Sequence, residues 1–279
     1  MRELMQLYPL PSGEVTLAGL YLGHDIRRVA KDRGRAFVYT NYVVSLDGRI
    51  AVPRRDGTGV TVPKAIANDR DWRLFQELAI QADVIITSGR YLREYAEGRA
   101  QEILTVYDDP AFADLAQWRI DHGLPSQPDL AVISASLDFP IPPVLLESGR
   151  RVVIFTVKSA DSARMRALEA QAGEVYVVGQ ETVDGARLMT KMTELGYATV
   201  YNATGPKVLH LLLASGALDR LYLTHANRLL GGQPFSSIVE GPLLDPPIDM
   251  RLSRIYYDPV ALAGVGQLLV SYDQMRILD

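Results

Sequence analysis

From Phe37 to Thr224, short β-branched runs alternate with stretches whose apolar residues recur at helical spacing. That alternation restricts the chain to an α/β layer fold with a largely parallel sheet. Strands are expected over residues 37–45, 83–87, 130–134, 151–156, 175–178, 198–201 and 219–224. Trp72, Phe75, Leu78, Ala79 and Ala82 mark a helix up to about residue 81. Further helices are expected over 160–172, 185–195 and 207–214, and one opens at Ser88-Gly89-Arg90. The tail reads as two strands, 251–257 and 267–272, with no helix between them, so it is expected to be an antiparallel hairpin at the C-terminal edge of the sheet. Residues 1–34, with Pro9, Pro11, Gly13, Gly19 and Gly23, read as an irregular extension. Nothing from 35 to 279 looks like a linker, so that stretch is expected to be one domain.

Composition narrows the chemistry. A net charge of −4 gives no general basic surface for nucleic acid. The chain has no cysteine, which removes disulfides, thiol nucleophiles and cysteine metal sites and suits a cytoplasmic protein. The four histidines show no ligand spacing, so no metal is expected. No apolar run has a membrane helix's length, and the N-terminus lacks a signal peptide's apolar stretch.

Two strand-to-helix turns carry the strongest chemical signal. In Thr87-Ser88-Gly89-Arg90, a helix N-terminus offers free N–H groups to an anion, Gly89 permits close approach, and Arg90 adds positive charge. An arginine there suits the 2′-phosphate of NADP. In Asn202-Ala203-Thr204-Gly205-Pro206-Lys207, Gly205 permits a tight turn and Pro206 suits the first helical position. Ordinary capped helices with solvated cations account for the same residues without a ligand. No Gly-x-Gly-x-x-Gly follows a strand, which disfavours a standard Rossmann site. A third feature, Asn41 to Ala51 (NYVVSLDGRIA), puts polar groups at a strand end.

The stretch Ser45-Leu46-Asp47-Gly48-Arg49-Ile50-Ala51 resembles the entry of the reductase domain in bifunctional riboflavin deaminase-reductases, a family similar in fold to dihydrofolate reductase. The landmarks that follow keep that family's order: Thr61-Val62-Pro63, residues 82–91, Leu104-Thr105-Val106, Ala203-Thr204-Gly205-Pro206, residues 215–221 and Leu229-Leu230-Gly231-Gly232. The resemblance spans roughly residues 37–272. It implies a dihydrofolate-reductase-like three-layer α/β/α domain and a homodimer. It also implies NADPH-dependent reduction of a small molecule of the 5-amino-6-(5-phosphoribosylamino)uracil type.

Carried over, the resemblance puts the nucleotide against Val44, Ser45, Thr87, Gly89, Arg90, Tyr91, Ser134, Ser136 and Asn202 to Lys207. It puts the substrate against Thr61, Thr105 and Tyr107, and catalysis at Asn41 and Asp47. There are departures from the family pattern. Asn41 stands where the family has lysine and Ala203 where it has glutamate. Tyr107 and Ala79 stand where it has arginines. The nucleotide half thus looks kept and the substrate half rebuilt, so poor turnover of the phosphorylated uracil is expected. A pterin reductase and a non-catalytic NADP-binding regulator are the alternative readings.

Overall fold

The computed structural model describes residues 4–54, 56–57, 59–100, 103, 106–107 and 109–275. The chain opens with strands β1 (Leu4–Tyr8) and β2 (Gly13–Val15) and helix α1 (Ile26–Lys31). Next come β3 (Phe37–Ser45), the short pair β4 (Val52–Pro53) and β5 (Val60–Thr61), and α2 (Asp69–Ala79). Then follow β6 (Val84–Ser88), α3 (Gly89–Ala96), α4 (Ala113–Asp121), β7 (Asp129–Ile133) and α5 (Pro143–Glu147). The alternation continues through β8 (Val152–Thr156), α6 (Ser162–Ala172), β9 (Glu174–Val177), α7 (Gly185–Glu194), β10 (Thr199–Asn202), α8 (Pro206–Ala214) and β11 (Arg220–Ala226). The long strands β12 (Met250–Asp258) and β13 (Gln267–Gln274) close it.

The chain divides into two compact units. The first holds the residues up to Asp25, Val38–Glu77 and those from Gly205 onward. Its strand order is β2-β1-β12-β13-β11-β3. β11 runs parallel to β3, with Arg220 opposite Tyr39 and Ala226 opposite Ser45; the other pairings are antiparallel. β3 is buried along nearly its whole length, as a strand covered on both faces must be. Val43 packs there with Ile66, Ala226, Ala261 and Leu262.

The second unit holds Ile26–Phe37 and Leu78–Thr204. Its strands, β10-β6-β7-β8-β9, are all parallel. Val84, Ile85, Ile86, Leu130, Ala131, Val132, Val153, Ile154 and Phe155 form its dry interior. Side-chain caps start its helices where the sequence supplies them: Ser88 for α3, Asp161 for α6 and Asp184 for α7. The α/β class, the mostly parallel strands and the antiparallel edge are as expected.

Three features differ from the sequence reading. Residues 1–34 are not irregular where described: β1 pairs antiparallel with β12, Met5 facing Tyr257, and β2 pairs with β1. Pro9 and Pro11, which lie in the turn between the two short strands, hide this hairpin by reading as loop. The tail hairpin is therefore not the outermost element of its unit, because β1 covers β12. Its two strands are joined by the turn Ala261–Gly264, in which Leu262, Ala263 and Gly264 are left-handed at φ 54, 61 and 90°. Helices α4 and α5 lie where no helix was expected.

Candidate functional site

In the second unit, β6 ends in Ser88, whose Oγ accepts from the Tyr91 N–H at 3.2 Å and caps α3. Gly89 sits so close to its neighbours that a Cβ there would lie 2.6 Å from Phe139 Cδ1 and 2.9 Å from Ser134 Oγ. Protein packing alone therefore demands this glycine, whether or not a ligand approaches it. Arg90 is 65% exposed and only 3.6 Å from Glu94, a solvated pair worth little. Tyr91 points inward, its hydroxyl accepting from the Ile103 N–H at 3.0 Å. Thr87 is fully buried and its hydroxyl has no hydrogen-bond partner among the described residues. It lies inside the strand and offers no exposed side chain to a ligand.

At the end of β7, Ser134 is buried and its Oγ accepts from the Leu137 N–H at 3.1 Å. Ser136 is exposed, and its carbonyl accepts from Arg164 at 3.2 Å. Arg164, in the first turn of α6, also stands 3.6 Å from Asp138. The sequence reading missed this cation, because 28 residues separate it from Ser136 and only the parallel crossover brings the two together.

At the end of β10, the buried Asn202 accepts from the Thr204 hydroxyl at 2.5 Å and from its N–H at 3.3 Å. Ala203 hangs on β6 through its N–H to the Ile86 carbonyl at 3.1 Å. The turn continues into Gly205, the N-cap residue, and Pro206, the first residue of α8. Gly205 has φ −76°, which any residue adopts, and a Cβ there would meet nothing within 4 Å. Unlike Gly89, it is needed neither for backbone conformation nor for packing. Lys207 is exposed.

In the first unit, the end of β3 is a tight polar knot. Ser45 Oγ donates to Asp47 Oδ1 at 2.5 Å and accepts from the Arg49 N–H at 3.0 Å. Arg49 bonds Asp47 Oδ2 at 2.7 Å. Asp47 also accepts from the backbone N–H groups of Leu230, at 3.2 Å, and Gly231, at 2.8 Å. The hydrogen bond from Ser45, those from the two amides and the nearby Arg49 hold its carboxyl down at about 2. Two motifs far apart in the sequence, Ser45 to Arg49 and Leu229 to Gly232, thus clamp each other. Asp47 is a permanently charged anchor for that loop, which counts against its moving a proton.

Asn41 is half-buried in the middle of β3, opposite Tyr222 of β11. Val44 is buried on the other face of the strand. Thr61 is exposed in the β4–β5 hairpin, opposite Val52. Tyr107, in the second unit, is half-buried at φ 53°. Thr105 lies outside the described residues. Ala79 is completely buried at the end of α2, so an arginine would not fit there without repacking. No group of three acidic or histidine side chains among the described residues could hold a metal ion. No described helix is long and apolar enough to cross a membrane.

This architecture, with turns at the carboxyl ends of parallel strands, defines an open α/β protein of the kind that places its ligands at strand ends. The chain belongs to the family described as the RibD C-terminal domain, which matches residues 36–259. This agrees with the pyrimidine reductase resemblance of its motifs. It is 26% identical over 226 residues to the 2,5-diamino-6-ribosylamino-4(3H)-pyrimidinone 5′-phosphate reductase of Methanothermobacter thermautotrophicus, a match covering 80% of this chain and 93% of that one. In fold it is similar to a pyrimidine reductase-like protein from Corynebacterium diphtheriae, with TM-score 0.70, 18% identity and coverage of 94% and 100%. It is also similar in fold to Acinetobacter baumannii RibD, with TM-score 0.59 and 15% identity, covering 88% of this chain and 60% of that longer one.

Proposed function

We propose that the chain is an NADPH-dependent reductase of a ribosylaminopyrimidine phosphate, acting in the cytoplasm. The family match over residues 36–259 carries this reading. It favours a pyrimidine reductase over a pterin reductase or a regulator without turnover. The second unit has the means to hold a nucleotide's phosphates: Arg90 and Arg164 are exposed cations at helix N-termini. In the first unit, Gly205 leaves open the space a side chain would fill. In the second unit Arg90 would pair with the 2′-phosphate, and Ser136 and Thr204 would supply hydrogen bonds beside Gly89; Val44, Ser45 and Pro206 are the first unit's own candidate nucleotide contacts. Bound NADPH supplies the hydride. The chain's own part is to orient the acceptor and exclude water.

The test is oxidation of NADPH, followed by loss of the reduced nicotinamide's absorbance, with the diaminopyrimidinone sugar phosphate as acceptor. Turnover with NADPH and a much slower rate with NADH are expected. No oxidation of either nucleotide, with tight NADPH binding retained, would favour the regulator instead. A homodimer is part of the proposal. β1 presents Met5, Leu7 and Tyr8 to solvent, with Leu10 just beyond.

A further inference from the structure

Between β2 and α1, residues 16–25 lie across the first unit as a strap. Its turns are local, from the Gly23 N–H to the Gly19 carbonyl at 2.9 Å and from the Asp25 N–H to the Leu22 carbonyl at 3.0 Å. Titratable side chains fix it to the sheet and to α2. The Glu77 carboxyl accepts from the Gly19 and Tyr21 N–H groups. His24 is only 5% exposed and lies between two hydroxyls. Its Nδ1 is 3.1 Å from that of Tyr222 on β11, and its Nε2 is 3.0 Å from that of Tyr256 on β12. Its ring stacks on both tyrosines, with centroids 5.6 and 6.0 Å away, and Tyr21 of the strap packs against it at 5.1 Å.

Only a neutral imidazole suits this seat. It offers one donor and one acceptor, so one hydroxyl accepts from it and the other donates to it. Imidazolium offers two donors and no acceptor. The hydroxyl that had donated then loses its acceptor, and a further positive charge is buried among cations. Burial, with the charges of Arg254 on β12 and Arg220 on β11, holds His24 well below its ordinary value. Asp273 of β13 is committed to Arg220, at 2.5 and 3.2 Å. Among the described residues no carboxylate bonds His24. Tyr21, Tyr222 and Tyr256 are pushed up by burial and keep their protons. Asp71 and Glu77 of α2 act on Tyr21, and burial pushes both carboxyls up. The closed strap therefore holds their protons at least as well as the open one, and acid does not open it through them.

We propose that His24 makes residues 16–25 an acid-opened strap: the neutral ring pins the segment across Tyr222 and Tyr256, and proton uptake at that ring releases it. Once open, His24 titrates near its ordinary value of about 6.5 and takes a proton that the closed strap refuses. The open population then grows about tenfold for each pH unit below about 6.5, until the closed imidazole itself titrates.

The test is hydrogen exchange of the full chain, read on peptides spanning residues 16–25 between about pH 7.5 and 5.5 and corrected for the intrinsic pH dependence of exchange. Opening should grow about tenfold per pH unit below about 6.5, while peptides from β6, β7 and β8 stay protected. His24→Gln keeps a donor and an acceptor but takes no proton, so its strap should open to the same extent at every pH. Glu77→Gln should open more at every pH and keep the wild-type slope. Imidazole NMR of the wild type should show His24 gaining its proton only as the strap opens. No growth of opening on acidification would overturn the proposal, and so would a wild-type slope in His24→Gln or a slope lost in Glu77→Gln. Should the strap of His24→Gln stay open at every pH, the NMR titration decides. One midpoint shared by His24 protonation and wild-type opening upholds the trigger, and a His24 that titrates inside a closed strap sinks it.

Discussion

Two aspartates of the first unit are displaced in opposite directions. Asp47 is held at about 2 by its donors, and Asp71 is raised to about 6 by burial. For Asp71 the native state binds the proton more tightly than the unfolded chain does. Its cost is therefore absent below about pH 4 and complete above about pH 6. Asp71→Asn should stabilise the protein at about pH 8 by about 1–2 kcal/mol, a few degrees in Tm for a chain of this size. The advantage should shrink steadily toward pH 4 in thermal melts. A variant no more stable than the wild type at pH 8 would show the carboxylate to be well solvated. Arg90 belongs to the same scale. Arg90→Ala should weaken NADPH by about 1.5–3 kcal/mol and leave NADH almost untouched, as measured by fluorescence titration. Equal losses for both nucleotides would move the 2′-phosphate to Arg164, which already bonds the Ser136 carbonyl.

The two strand-to-helix turns look alike in sequence and differ in what their glycines do. Gly89→Ala would drive a methyl into Phe139 and Ser134 and should cost about 1–3 kcal/mol of folding stability. Gly205→Ala meets open space and should leave the melting temperature unchanged while reducing NADPH affinity several-fold. Chemical denaturation and nucleotide titration of both variants check the contrast. Linear sequence could not separate the two, because the atoms that decide lie at Ser134 and Phe139, some 45 and 50 residues away. The elements themselves were largely legible. Strands β6, β7, β8 and β10 are short apolar runs between turn residues, and α6 and α7 open at good capping residues. The N-terminal hairpin was not legible, since Pro9, Pro11 and Gly13 read as loop. Asp71 was passed over for a similar reason. Amid Asp69, Arg70 and Arg73 it reads as part of a solvated helix face, and Thr224, which bonds it, is 153 residues distant.

For the whole molecule, the β1 strand bears on assembly, because it pairs with β12 and covers the tail hairpin. The tail hairpin does not need a second copy to cover it. The three-residue β2, which lies outside β1, is a short edge of the kind that resists further strand addition. The dimer is instead expected to use the apolar side chains of Met5, Leu7 and Leu10. Light scattering at micromolar concentration should give twice the chain mass of 30.8 kDa. Replacing Leu7 and Leu10 with serine should halve that result without lowering NADPH affinity. A monomer in the wild type would leave those residues as an ordinary exposed patch.

The family match runs from 36 to 259, yet the first unit's architecture ignores both borders. On the N-terminal side, Gly19 and Tyr21 donate their N–H groups to the buried carboxyl of Glu77, at 2.6 and 2.9 Å. His24 bridges the hydroxyls of Tyr222 and Tyr256, at 3.1 and 3.0 Å. On the C-terminal side, β13 is an interior strand, hydrogen-bonded to both β12 and β11. A gene fragment trimmed to the matched residues would lack that strand and the backbone donors that satisfy Glu77. Such a fragment should accumulate in bacterial inclusion bodies. Translation started downstream of residue 25 should likewise leave the Glu77 carboxyl without the Gly19 and Tyr21 donors.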